Sequence, residues 1–297
     1  MNILVITYAL NGLLMIAIPV GLAIFLTHRW KLDWRIWWIG FATFVLSQVG
    51  HIPFNGGMTL LLNRTGIVYW SPTAQLLFNA VFLGLSAGLF EEGARYLILR
   101  FWARDARSWR TGTLFGAGHG GSEAIIFGCL ALYGYIRLVA FRDATPEQLS
   151  QFFGSTNVAL AQTQLAAAWS APWYETLFGA LERFFAIPCQ IAMALMVMQV
   201  FTRRKIGWLF AAIVYHAMID GTSVILMYQQ VGPFWFEAVV GLFAVLSVGI
   251  IFLLRRFEPP SLVAVPDLAA APVPSTSAPA IKPVDESQEN LDNTRFQ

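Results

Sequence analysis

Glu91, Glu92 and Arg95 lie within an apolar run from Ala74 to Leu99, a place where charge is costly. A charged residue at the centre of a membrane helix costs about 3 kcal/mol on insertion scales, and such residues face a bundle interior or a water-filled cavity. Two other apolar runs carry His119 with Glu123 and His216 with Asp220. Residues four apart share a helix face, and Glu91–Arg95, His119–Glu123 and His216–Asp220 all have that spacing. Each run therefore presents one polar stripe. Glu92 lies eight residues before Arg100, His119 nine after Arg110 and His216 eleven after Lys205. At about 1.5 Å per residue, all three sit roughly 12–17 Å from the basic end of their helices. The expectation is a single intramembrane site.

That set of side chains suits hydrolysis. Two histidines and a carboxylate on separate helices can hold Zn²⁺ with a fourth position open to water. A metal lowers the pKa of its bound water, and a neighbouring carboxylate can take the proton. On this reading the metal ligands are His119, His216 and Glu123. Alternatively, Glu123 orients His119 from behind. A glutamate–histidine pair could also activate water without a metal. Gly116, Gly118, Gly120 and Gly121 surround His119 and let a neighbouring backbone approach closely.

The elements that must position these residues are membrane helices. The chain has 297 residues, 57% hydrophobic and 12% charged, with a mean hydropathy of +0.60. Soluble domains carry about 25% charged residues, so the composition is that of a polytopic all-α membrane protein. A net charge of +2 and the lack of a basic stripe give no footing for nucleic acid. Cys129 and Cys189 fall within apolar runs and read as small apolar residues. The first run has no positively charged leader before it and reads as a retained span.

Apolar windows of about 20 residues predict seven spans, near Asn2–Thr27, Arg35–Ile52, Ala74–Leu99, Thr111–Val139, Trp173–Phe201, Ile206–Tyr228 and Trp235–Leu254. Twelve basic residues fall after the odd-numbered spans and three in the opposite loops. The positive-inside rule then places the N-terminus outside and the C-terminus in the cytoplasm. The longest connection, 140–172, contains Thr145-Pro146-Glu147, a helix-start signature. The Pro-, Ala- and Ser-rich stretch 258–297 reads as a disordered cytoplasmic tail appended to a membrane domain over 1–257. Glu182 and Arg183 read as a buried pair towards the outer surface, and His51 as an interfacial residue at the outer end of span two.

The acidic pair followed by Arg95, the Phe115-x-x-x-His119 motif and His216-x-x-x-Asp220 resemble the three motifs of the CAAX-protease and bacteriocin-processing intramembrane protease superfamily. Order and spacing are most similar to its YhfC-type branch, with PrsW-like proteins as relatives, over roughly residues 75–225. Only Gly93 and Ala94 separate the acidic pair from its arginine, where the CAAX branch has three residues. The resemblance implies a helical membrane endopeptidase acting on a peptide or membrane-protein substrate in or near the bilayer. It makes Glu91 the water-activating glutamate and His119 and His216 the site histidines. Asp220 stands where asparagine is common; Glu92 and Asp220 complete the polar shell, with Arg95 as electrostatic partner. Glu123 lies outside the superfamily pattern. Competing readings of the same residues are a proton-coupled transporter and a non-catalytic membrane chaperone or assembly factor of the same fold.

Overall fold

The computed structural model describes residues 3–256, which form nine α-helices and no strand. The stretch 258–297 lies outside the described residues. Seven helices are long: α1 (Ile3–Trp30), α2 (Trp34–Arg64), α3 (Pro72–Phe101), α4 (Trp109–Ala140), α7 (Phe178–Thr202), α8 (Gly207–Tyr228) and α9 (Pro233–Arg256). Two short ones, α5 (Pro146–Phe153) and α6 (Val158–Ser170), fill the long connection.

Local sequence sets the helix starts. The Asp33 carboxylate accepts from the Arg35 amide at 2.7 Å and opens α2. Ser71 caps α3 ahead of Pro72. Ser108 and Thr111 form a reciprocal capping box on α4, and Thr145 and Gln148 form one on α5, with Pro146 in its first turn. Such side chains satisfy amide groups that a helix start leaves unpaired.

Six segments are long and apolar enough to cross a membrane: α1, α3, α4, α8, α9 and Glu175–Thr202, which contains α7. The expected second span needs correction. α2 has 31 residues, which at about 1.5 Å each is more than a bilayer core requires. It is less apolar than the others because Ser47, Gln48, His51 and Asn55 interrupt its middle. It also continues through Pro53 to Arg64, well beyond Ile52.

Successive long helices reverse direction, so the basic segments gather at one end. There Arg35 pairs with Asp105 at 2.6 Å, Trp30 meets Trp109 edge-on at 5.3 Å, and Arg107 lies 4.5 Å over the Phe201 ring. At the other end Tyr8 donates to the Ala168 carbonyl at 2.9 Å, and Arg142 lies 4.7 Å over Trp169.

α7 runs through the middle of the bundle, and every residue from Cys189 to Gln199 is buried. Met193, Met196 and Met198 are buried there as ordinary core. Around α7, two helix pairs approach to backbone contact. α2 and α4 meet at Gly40 and Gly118, where an added Cβ would run into the carbonyls of Phe115 and Trp37 respectively. α3 and α8 meet at Gly84 and Gly88, where a Cβ would lie 2.5 Å from the Ala217 oxygen and 2.7 Å from that of Ile213. Membrane helices associate through such small residues because lipid offers no hydrophobic drive between them. The contacts bring α2, α3, α4 and α8 together at the level of the charged residues.

Candidate functional site

α3 supplies the acids. Glu92 and Arg95 are fully buried and form an ion pair within the helix, and the other Arg95 amino group bonds the Gln190 side-chain oxygen from α7. Both charges are therefore removed from water and matched, the condition under which a buried pair persists. The Glu92 Oε1 atom also accepts from His216 Nδ1 on α8 at 2.8 Å. That bond fixes the ring, and His216 Nε2 turns towards Glu91 Oε2 at 3.9 Å and Asp220 Oδ2 at 3.5 Å.

Glu91 sits at the convergence. Its Oε2 lies 3.0 Å from His119 Nε2 on α4 and 3.8 Å from Arg95. Its Oε1 accepts from Gln48 Nε2 on α2 at 3.1 Å. Four helices thus fix one carboxylate. His119 is fully buried, edge-on to Phe44 at 5.3 Å, and its Nδ1 has no hydrogen-bond partner among the described residues. Asp220 is the open member, with its side chain 40% exposed.

The structure therefore brings together Glu91, Glu92, Arg95, His119, His216 and Asp220. It separates Glu123 from them. Glu123 pairs with Arg183 at 2.6 Å and accepts from Gln190 Nε2 at 2.9 Å, and neither histidine is its partner. Arg183, which also pairs with Glu182, draws the Glu123 carboxylate towards α7. Glu123 instead supports the site at one remove, because Gln190 bridges it to Arg95.

Sequence reasoning missed three residues. His51 is no interfacial bystander: its ring nitrogens lie 3.3 Å from the Gln48 side-chain oxygen, 3.2 Å from Ser86 Oγ and 2.9 Å from Asn55 Nδ2. With Gln48 it forms a polar chain from Glu91 towards the half-exposed face of α2. The available signal was the run Ser47, Gln48, His51, Asn55, which repeats at helical spacing. Gln190 gave a weaker signal, an amide within an apolar run two residues after Pro188.

The expected metal set can be tested against these contacts. Of its three ligands, Glu123 is committed to Arg183, and His119 Nε2 is already engaged with Glu91. Among the described residues no group of three or more His, Cys, Asp or Glu side chains is arranged to hold a metal ion. The side chains as placed do not fit a preformed three-ligand centre.

Fold and site together define a multi-pass membrane protein with a buried acid–histidine cluster shared by four helices. The chain matches the family described as YhfC intramembrane metalloprotease over residues 14–244, and it belongs to that family. It is 30% identical over 249 residues to the uncharacterized membrane protein YhfC of Bacillus subtilis (strain 168), covering 82% of this chain and 93% of the relative. No solved structure matches it.

Proposed function

We propose that this protein is an intramembrane endopeptidase in which Glu91 activates a water for attack on a peptide bond of a membrane-associated substrate. The observation that carries the reading is the placement of Glu91: one oxygen held by Gln48, the other facing His119 at 3.0 Å and His216 at 3.9 Å. A carboxylate fixed beside two imidazoles in a desolvated pocket is arranged for general acid–base chemistry.

Glu91 takes a proton from water as the oxygen attacks the carbonyl carbon. The negative charge that develops on the carbonyl oxygen is stabilised by the Nε2–H of the protonated His216 ring, whose orientation Glu92 sets through Nδ1. Collapse breaks the carbon–nitrogen bond, and the proton on Glu91 passes to the leaving amine. Water is consumed, and a carboxyl and an amino terminus appear. Arg95 holds Glu92 and does not touch substrate. Family membership supports peptide hydrolysis as the reaction class. Zinc, expected from the sequence, lacks the third ligand assigned to it, and no step here is routed through it.

The test is Glu91→Gln, expressed in membranes beside the wild type, with peptide termini mapped by mass spectrometry. The wild type is expected to generate paired new termini. The variant is expected to lose them, by about 10²–10⁴-fold in rate, while folding and abundance hold. Undiminished cleavage by the variant would reject the assignment of Glu91. Loss of solute flux without any change in peptide termini would favour a carrier.

A further inference from the structure

At the basic end, well away from Glu91, a cavity of about 680 Å³ opens between the C-terminal end of α3 and the α7–α8 connection. Four arginines line it: Arg100, Arg104, Arg107 and Arg204. Among the described residues no carboxylate lines it, and none of the four has an ion-pair partner. Asp105, the acid in the same loop, is given to Arg35 at 2.6 Å. Positive-inside topology accounts for arginines in this loop. It does not account for four arginines lining one cavity, of which, among the described residues, only Arg107 has a carboxylate, Asp105, close enough to interact with it.

Their hydrogen bonds divide them into two kinds. Arg107 is spent on the carbonyls of Leu99, Ala103 and Ala106, and Arg100 on the Tyr96 hydroxyl at 2.7 Å, so both form part of the wall. Arg104 gives only its Nε, to the Arg100 carbonyl, so its terminal amino groups remain to face a ligand. Among the described residues Arg204 has no hydrogen-bond or ion-pair partner, and it adopts φ +54°, in the left-handed region that non-glycine residues seldom occupy. The cavity also reaches Ile206, the N-cap position of α8, and no side chain caps that helix. An uncapped helix N-terminus adds its own attraction for an anion.

The remaining wall is apolar. Phe101 and Ile206 line the cavity with 59% and 50% of their surfaces exposed. A cationic pocket at the basic end with greasy sides suits an amphiphile with a phosphate head.

We propose that this cavity binds a phosphate group, and that the phosphate is the headgroup of an anionic phospholipid. The assignment does not depend on the hydrolase reading. Arg104 and Arg204 supply the ligand contacts, and the aromatic and aliphatic walls take the start of the acyl region.

Native mass spectrometry of the detergent-purified full chain tests this, with phosphatidylglycerol, phosphatidylcholine and inorganic phosphate as probes. Phosphatidylglycerol is expected to be retained in preference to phosphatidylcholine. Arg104→Gln and Arg204→Gln are each expected to weaken it about fivefold, the factor that follows from about 1 kcal/mol per arginine near an anionic surface. Both positions are exposed, and thermal melts will report that the variants remain folded. Arg142→Gln, at the opposite end, is expected to leave retention unchanged. Equal retention of the two lipids, or equal loss in Arg142→Gln, would overturn the site. Binding of inorganic phosphate as tight as that of the anionic lipid would overturn the lipid and leave the free ion as ligand.

Discussion

His216 Nδ1 meets Glu92 Oε1 at 2.8 Å, so the most deeply buried acid of α3 sets the ring orientation of the histidine on α8. The same oxygen holds Arg95. Glu92 is thus a structural acid beside the proposed general base, Glu91. Glu92→Gln is expected to leave the buried Arg95 without its bonded counter-charge, with only Glu91 at 3.8 Å, and to cost about 3–5 kcal/mol. A fall in melting temperature and in membrane abundance checks this; a melt unchanged from wild type would reject it.

His51 holds Gln48, and Gln48 holds Glu91. His51→Ala is expected to release the Gln48 amide and let the Glu91 carboxylate swing. Misplacement of a catalytic group by about 1 Å costs about 10²-fold in rate. Cleavage should fall by that order with little change in melting temperature, because His51 is only half-buried. Equal losses of stability and activity would make its role structural.

Gly118 approaches the Trp37 carbonyl so closely that an added Cβ forces α2 and α4 apart. Gly118→Ala is expected to destabilise the protein by about 1–3 kcal/mol, the usual cost of overpacking. Gly134, on the same helix, has nothing within 4 Å of its Cβ position. Gly134→Ala is expected to gain about 0.5–1 kcal/mol, the helix penalty of glycine relative to alanine. Paired thermal melts decide whether contact or helix propensity dominates.

Glu123 offers a direct test of the metal reading. Its carboxylate pairs with Arg183, so Glu123→Gln is expected to lower the melting temperature, by about 1.5–3 kcal/mol for a lost charged hydrogen bond. Metal content by plasma mass spectrometry is expected to match the wild type. Stoichiometric zinc present in the wild type and absent from the variant would restore Glu123 as a ligand.

Much of the site was legible because charge in an apolar helix is rare and i, i+4 spacing is informative. Glu91, Glu92, Arg95, His119, His216 and Asp220 were found that way. The same rule misplaced Glu123. Four residues rotate a side chain about 40° and lift it one turn, enough for His119 to face α3 while Glu123 faces Arg183 on α7. His51 was missed for a different reason. Ending the second span at Ile52 put His51 at a surface, and the continuation of α2 to Arg64 puts it inside the helix. The seven long helices were readable from hydropathy, whereas the glycine contacts that register them depend on which helices become neighbours.

The backbone contact of α3 with α8 at Gly84 and Gly88 has a consequence for traffic. Two helices held together by their own carbonyls leave no gap for a polypeptide between them. α2 and α4 are closed in the same way at Gly40 and Gly118. The polar route to Glu91 instead passes His51 on α2 and the exposed carboxylate of Asp220 on α8. On the proposed endopeptidase reading, the side of Glu91 that carries His51 and Asp220 is where a substrate would be met, with the closed helix pairs as fixed posts on either hand.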